Sequence, residues 1–245
     1  MLTPGKIIFR IIFIFGMVEL AIMLLLEHVS LGIGVYGEAV LDVLLLSIFC
    51  TPMVYLWIIK PYVVAHRDLN ARFVHSVNHD ELTGLANRRL LKEHLAKVIS
   101  RLTREKGHAA TFFIDLDGFK DINDVHGHEA GDAMLVETAR RLSAIVREED
   151  IVARIGGDEF VVVLNTLDAD EGTAREKAIG TANRIHDIVR TPIAHHGKNL
   201  QVESSIGIRF LAPSETNTDA IINDADAAMY VAKQARRGGM AIFGE

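Results

Sequence analysis

The chain has 245 residues, 49% of them hydrophobic, with a net charge of −6 and one cysteine. The acidic balance supplies no global basic field, so nucleic acid is not an expected partner. A lone Cys50 excludes an intrachain disulfide framework and makes a cysteine-based metal site implausible.

Mean hydropathy is +0.23, apolar for an ordinary soluble protein. The excess lies almost entirely in residues 1–60. Ile7–Leu26 and Ala39–Ile59 are each about 20 residues, the length of a helix that crosses a bilayer core. Arg10 sits near one end, where it can snorkel, and Glu19 lies deeper. The connector Glu27–Glu38 has no Lys or Arg, whereas Lys6, Arg10, Lys60 and Arg67 flank the outer ends. The positive-inside rule then puts both termini in the cytoplasm and the short loop outside. Tyr55, Trp57 and Tyr62 suit an interfacial aromatic belt. A cleaved signal peptide fits less well, because the first run is long and no small-x-small cleavage site follows directly. Two buried soluble helices fit poorly, since neither run has a polar face. Glu19 at membrane depth reads as an acid at a helix–helix contact, in its sharper version a dimer contact. The glycines of LGIGVYG follow no strand and read as a turn, not a nucleotide loop.

The expected division is a helical hairpin over 1–60, a helical linker over 61–79 and one domain over 80–245. In the linker, Tyr62, His66, Leu69, Phe73 and Ser76 or Val77 are spaced for a short coiled coil. A monomeric amphipathic helix explains them equally.

Periodicity predicts a helix over Asn87–Arg104 and a buried strand over Ala109–Leu116. A polar stretch follows, then a helix from about Gly131 to Val146. Asp150–Ile155 and Glu159–Leu164 read as strands joined by Gly156-Gly157, a hairpin signal. A helix over Ala174–Val189, a strand over Gln201–Phe210, a helix over Thr218–Ala235 and a short strand over Met240–Phe243 complete the order. The fold class is α+β, a palm-like or ferredoxin-like, mostly antiparallel sheet flanked by helices, preceded by a transmembrane hairpin.

Asp115 ends one strand and Asp158 sits at the hairpin tip. The topology can bring them to neighbouring strands. Two close carboxylates repel and raise one pKa unless a cation sits between them. Mg²⁺ is held by one or two carboxylates while substrate phosphates complete its shell. Gly156 and Gly157, without Cβ atoms, let the backbone approach phosphates. Either acid alone is more readily a solvated turn residue, and only the two together in this topology bring the metal reading level with it.

Several motifs together resemble one family. Residues 80–243 are similar to a GGDEF domain, the diguanylate cyclase module, through Gly156-Gly157-Asp158-Glu159-Phe160. Asp80–Arg88 (DELTGLANR) resembles the family's opening motif, with Ala86 where Pro is usual. Asp115–Asp132 (DLDGFKDINDVHGHEAGD) resembles its nucleotide-binding segment throughout. Ser205-Ile206-Gly207 resembles its later strand, and Asp226–Arg237 (DAAMYVAKQARR) its last helix, with Arg236 where Gly is common.

The resemblance implies that two GTP become cyclic di-GMP and two pyrophosphates, each subunit of a homodimer holding one GTP. It implies Mg²⁺ (or Mn²⁺) on Asp115, the Leu116 carbonyl and Asp158. Asn123, His128 and Asp132 would hold the substrate, Asn123 and Asp132 reading guanine. Asp158 would accept the 3′-hydroxyl proton, and Glu159 shares the metal or base role. Phe119 and Lys120 would offer main-chain N–H groups to phosphates, beside Gly156, Gly157 and Arg154. Lys233 and Arg237 lie four apart on one helix face and would contact the phosphates. Without the resemblance, balancing the helix dipole explains them better. Phe160 reads as core. Arg147-Glu148-Glu149-Asp150 has the RxxD form of the family's product-inhibition site, where Arg147 and Asp150 would bind cyclic di-GMP.

The expectation is thus a bacterial inner-membrane, multi-pass diguanylate cyclase with its enzymatic domain cytoplasmic and a lipid bilayer as partner. No phosphodiesterase motif is expected after it. Alternatives are an inactive GTP sensor or cyclic di-GMP receptor, another nucleotidyl cyclase on a related sheet, and a protein signalling mainly through its hairpin.

Overall fold

A computed structural model describes residues 4–27, 34–64, 77–105, 107–211, 215–235 and 238–245. The chain divides into two units, Met1–Val74 and His75–Glu245.

In the first unit, helix α1 spans Pro4–Glu27 and helix α2 spans Gly34–Val54. Ile14, Val18 and Ile22 recur every fourth residue along α1 and form the buried seam with Cys50 and Ile58. Pro52 lies inside α2, and the helix widens into a π turn at Tyr55–Ile59. Arg10 donates to the Trp57 carbonyl at 3.0 Å, so the outer ends of the two helices meet. Gly5–Leu24 and Ala39–Val64 are long and apolar enough to cross a bilayer, and few of their side chains are buried. Glu19 is exposed and takes no part in the α1–α2 seam. In the proposed linker, His66, Leu69, Phe73 and Ser76 lie outside the described residues.

The second unit is a five-stranded sheet with order β2-β3-β1-β6-β7. The strands are β1 (Ala109–Asp117), β2 (Ile151–Gly156), β3 (Glu159–Leu164), β6 (Glu203–Leu211) and β7 (Met240–Ile242). All pairings are antiparallel except β6 with β7, as the sequence pattern anticipates. All nine residues of β1 are buried. Strands covered on both faces read as continuous apolar runs rather than as alternation.

Helices α5 (His128–Ile145) and α6 (Glu171–Arg190) cover one face over Phe112, Ile114 and Leu116. Helices α3 (Arg88–Glu105) and α7 (Thr218–Ala235) cover the other over Phe113, Val161 and Val163. Asn87 caps α3, its Oδ1 accepting from the Arg89 and Leu90 amides at 3.0 and 3.2 Å. Phe160 is fully buried, as expected. Gly207 sets the approach of α7: a Cβ there would lie 2.0 Å from the Ala225 carbonyl oxygen and 2.2 Å from the Met229 nitrogen.

Several elements depart from the sequence expectation. The polar stretch after β1 is itself a helix, α4 (Phe119–His126), between Gly118 and Gly127, both at φ 83°. At eight residues, with only Ile122 buried, it is too short for a periodic signal. Helix α5 starts at His128, three residues before the expected Gly131. Strands β4 (Ile193–His195) and β5 (Lys198–Leu200) form a separate hairpin. Three-residue strands turn only Ile193 and Leu200 inward, which leaves no alternation to read.

Candidate active site

The site is built where β1 and the β2–β3 hairpin end. Asp115 pairs in register with Glu159 on β3, and the Leu116 amide donates to the Asp158 carbonyl at 3.3 Å. Gly156 still pairs with Glu159, so the turn itself is Gly157-Asp158, with Gly157 at φ 40°. The tight turn therefore places Asp158 directly beside Asp115.

A third acid joins them. Residues two apart on a strand share a face, and β1 runs on to Asp117. Lys233 of α7 donates to Asp115 Oδ1 at 2.5 Å and lies 4.0 Å from Asp117 Oδ1. Asp117 Oδ2 accepts from the Ser205 hydroxyl at 2.8 Å and the Gly238 amide at 3.0 Å. Its other oxygen is buried with no hydrogen-bond partner among the described residues. Asp117 was readable as a site residue: the DLD spacing carries it, once β1 is extended past Leu116.

Burial raises the Asp158 carboxyl above its usual range, and the Asp115 charge raises it further. Glu159 is raised by burial, then by Asp226, Asp115 and Asp158. Burial alone would lower the Lys233 ammonium, but the bond to Asp115 leaves it raised. Several carboxylates thus converge around one lysine. This set of hard oxygen donors, one of them orphaned and buried, fits a divalent cation such as Mg²⁺.

Beside the acids, a cleft of about 380 Å³ is lined by Asp117, Gly118 and Gln201–Glu203. Helix α4 points its first turn out of Gly118, and Phe119 and Lys120 lead it. The first N–H groups of a helix have no intrahelical partner and favour anions. Across α4 and α5, Asn123 lies against Gly131, where a Cβ would fall 2.0 Å from its Oδ1. His128 and Asp132 are one turn apart on α5 and exposed. The structure therefore gathers Asn123, His128 and Asp132 around the α4–α5 junction. Arg237 lies outside the described residues.

Residues 77–239 match the family described as "Diguanylate cyclase, GGDEF domain". The chain belongs to the GGDEF family. Its GGDEF domain is 39% identical over 176 residues to MucR of Pseudomonas aeruginosa, a bifunctional diguanylate cyclase/cyclic di-GMP phosphodiesterase, covering 71% of this chain and 24% of that one. It is 38% identical over 173 residues to the diguanylate cyclase TpbB of the same species, covering 70% of this chain and 39% of that one. The structure of an N-terminally truncated TpbB mutant comprising only its GGDEF domain superposes with a TM-score of 0.61 at 38% identity, over 67% of this chain and 94% of that one. The chain spans well under half the length of these curated relatives.

Within the GGDEF domain, Arg154 braces the turn. Its Nη1 donates to both Asp80 oxygens at 2.9 and 3.1 Å, and Nε and Nη2 donate to the Gly157 carbonyl at 2.9 and 2.8 Å. Its fork is spent on protein partners, a different task from the substrate contact expected of it. Asp80 also accepts from the Thr83 amide and hydroxyl. Burial would raise its pKa, but the Thr83 and Arg154 bonds prevail and hold it low. Sequence reasoning placed Asp80 only as the first residue of the opening motif, because only the folded chain shows it meeting a residue 74 positions away.

The RxxD residues follow α5. Both Asp150 oxygens accept backbone N–H groups, from Arg147 and from Asn165, each at 2.9 Å. The Arg147 side chain is 71% exposed, 3.7 Å from Glu149. Asp150 thus shapes the loop that presents Arg147.

Proposed function

We propose that the chain is a diguanylate cyclase. The observation that carries this reading is the convergence of Asp115, Asp117 and Asp158 on Lys233, with Glu159 paired beside Asp115, next to the α4 N-terminus. Such a cluster is costly unless something cationic, and then something phosphorylated, completes it. Named diguanylate cyclases among the relatives support it.

The reaction joins two GTP. A 3′-hydroxyl oxygen of one attacks the α-phosphorus of the other, the bond to the bridging oxygen breaks, and pyrophosphate leaves. Repetition in the opposite sense closes the ring, giving one cyclic di-GMP and two pyrophosphates. Asp115, the Leu116 carbonyl and Asp158 would hold Mg²⁺ or Mn²⁺, with Asp117 at hand. The cation would neutralise phosphate charge and polarise the phosphoryl oxygens. Burial and crowding make Asp158 and Glu159 better proton acceptors than an ordinary carboxylate, which suits them to take the 3′-hydroxyl proton. Lys233 turns from Asp115 to the triphosphate, joined there by Arg237. Phe119 and Lys120 offer amides to the phosphates, and Gly156 and Gly157 leave them room. Asn123 and Asp132 read the guanine edge, with His128 flanking it.

Since each GGDEF domain holds one GTP, the active species is a homodimer with two sites face to face. The two apolar helices anchor the chain in the bacterial inner membrane, crossing it twice, with residues 61–79 as linker and residues 80–245 in the cytoplasm. Arg147 and Asp150 form a product site through which cyclic di-GMP slows its own synthesis.

The test is to incubate the detergent-purified full chain with GTP and Mg²⁺ and identify the products by mass. Cyclic di-GMP and pyrophosphate are expected in a 1:2 ratio. Absence of product from protein verified as dimeric would overturn the enzyme reading in favour of a nucleotide receptor.

A further inference from the structure

Among the described residues, the nucleotide chemistry leaves one cluster of possible metal ligands unused. Glu129 stands in the first turn of α5, and His195 and His196 close the β4–β5 hairpin. One ligand atom from each lies within 4.8 Å of the others. His196 Nε2 is 3.7 Å from Glu129 Oε1. The two imidazoles meet edge to face, centroids 4.3 Å apart. We propose that Glu129, His195 and His196 form a binding site for a transition-metal ion of the zinc type, separate from the catalytic acids.

The donor set decides the class of ion. Two imidazole nitrogens with one carboxylate suit Zn²⁺, Co²⁺, Ni²⁺ or Fe²⁺, whereas Mg²⁺ and Ca²⁺ prefer oxygens alone. The catalytic cluster is all oxygen, so the two sites select different metals. Metal–ligand bonds of about 2.0–2.2 Å require the three ligand atoms to close slightly. Glu129 and His196 are free to do so, with side chains 83% and 74% exposed. Three protein ligands leave a position for water.

The backbone adds a second observation. His195 pairs with Lys198, so His196-Gly197 is a two-residue turn with φ of 47° and 76°. Such a turn favours Asn-Gly. His196 is the only non-glycine residue at positive φ among the described residues. An imidazole stands where the turn itself would prefer an amide, and it points to Glu129. β4 runs along α5 across a cleft lined by Asp132, Ala133, Ile193 and Ala194. A bound ion would tie the hairpin tip to α5 at the end of that cleft. The proposal is independent of the nucleotide reading.

The substitution His196→Asn gives the turn its preferred residue and removes a ligand, so loss of binding cannot be ascribed to a lost hairpin. Zn²⁺ binding is measured by calorimetry on the detergent-purified full chain in excess Mg²⁺, and Co²⁺ binding by its visible absorption. The wild type is expected to take up one Zn²⁺ and to give a Co²⁺ band. His196→Asn, His195→Gln and Glu129→Gln are each expected to weaken binding about tenfold or more, while Asp158→Asn leaves it unchanged. No uptake by the wild type overturns the proposal. So does equal uptake by wild type and His196→Asn, or loss of uptake in Asp158→Asn.

Discussion

Lys233 is the residue that would change partner in the proposed reaction. Its 2.5 Å bond to Asp115 puts an ammonium where a divalent cation would compete for the same oxygen. Replacing it with Met should therefore tighten Mn²⁺ binding to the nucleotide-free protein, by about tenfold if about 1.4 kcal/mol of competition is removed. The same change should slow turnover, because the triphosphate loses a cation. Mn²⁺ titration followed by electron paramagnetic resonance reads the first effect, and weaker Mn²⁺ binding in the variant would argue against competition. At this scale the sequence named Asp115, Asp158, Glu159 and Lys233. Asp117 escaped because β1 was ended one residue early, and Arg154's bond to Asp80 escaped because it is long-range.

Two close approaches between elements carry the geometry. Gly207 lets α7 lie directly on β6, which aims Lys233 at the strand ends. Gly207→Ala should cost about 1–3 kcal/mol, the usual range for overpacking, and reduce activity along with stability. Chemical denaturation measures it, and an unchanged midpoint would mean α7 tolerates the shift. Gly131 does the same for Asn123, whose side chain fills the space a Cβ would need. Gly131→Ala should raise the KM for GTP several-fold while moving the melting temperature little. A purely structural role would reverse that pattern. The β2–β3 hairpin was legible from Gly156-Gly157 between apolar runs, and α3 and α6 from their periodicity. Helix α4 and the β4–β5 pair were not, since elements of eight and three residues bury too few side chains to leave a period.

On the scale of the whole molecule, the sequence divides into a hairpin over 1–60, a linker over 61–79 and a domain over 80–245, and the chain separates into units at Val74/His75. The apolar helices were legible from length alone. Their π turn after Pro52 and the Arg10–Trp57 contact were not, being set by packing between helices. Regulation belongs to this scale, because the proposed product site lies on the loop between α5 and β2, at the opposite end of β2 and β3 from the acids. Arg147→Ala should relieve inhibition by added cyclic di-GMP and leave the initial rate near wild type. Equal inhibition of both proteins would remove Arg147 from that role.

The central claim is that the acids at the strand ends form a cation seat rather than a charged turn. Asp158 is raised above its unfolded pKa, so without metal the folded state holds more protons than the unfolded one. The contribution of this group to stability then falls as pH rises through the raised carboxylate range. Thermal unfolding of wild type and Asp158→Asn at pH 7.5, with and without Mg²⁺, tests this directly. Without Mg²⁺ the variant should melt higher, and Mg²⁺ should raise the wild type more than the variant. A variant that melts lower than wild type without Mg²⁺, together with equal shifts on adding it, would contradict the claim.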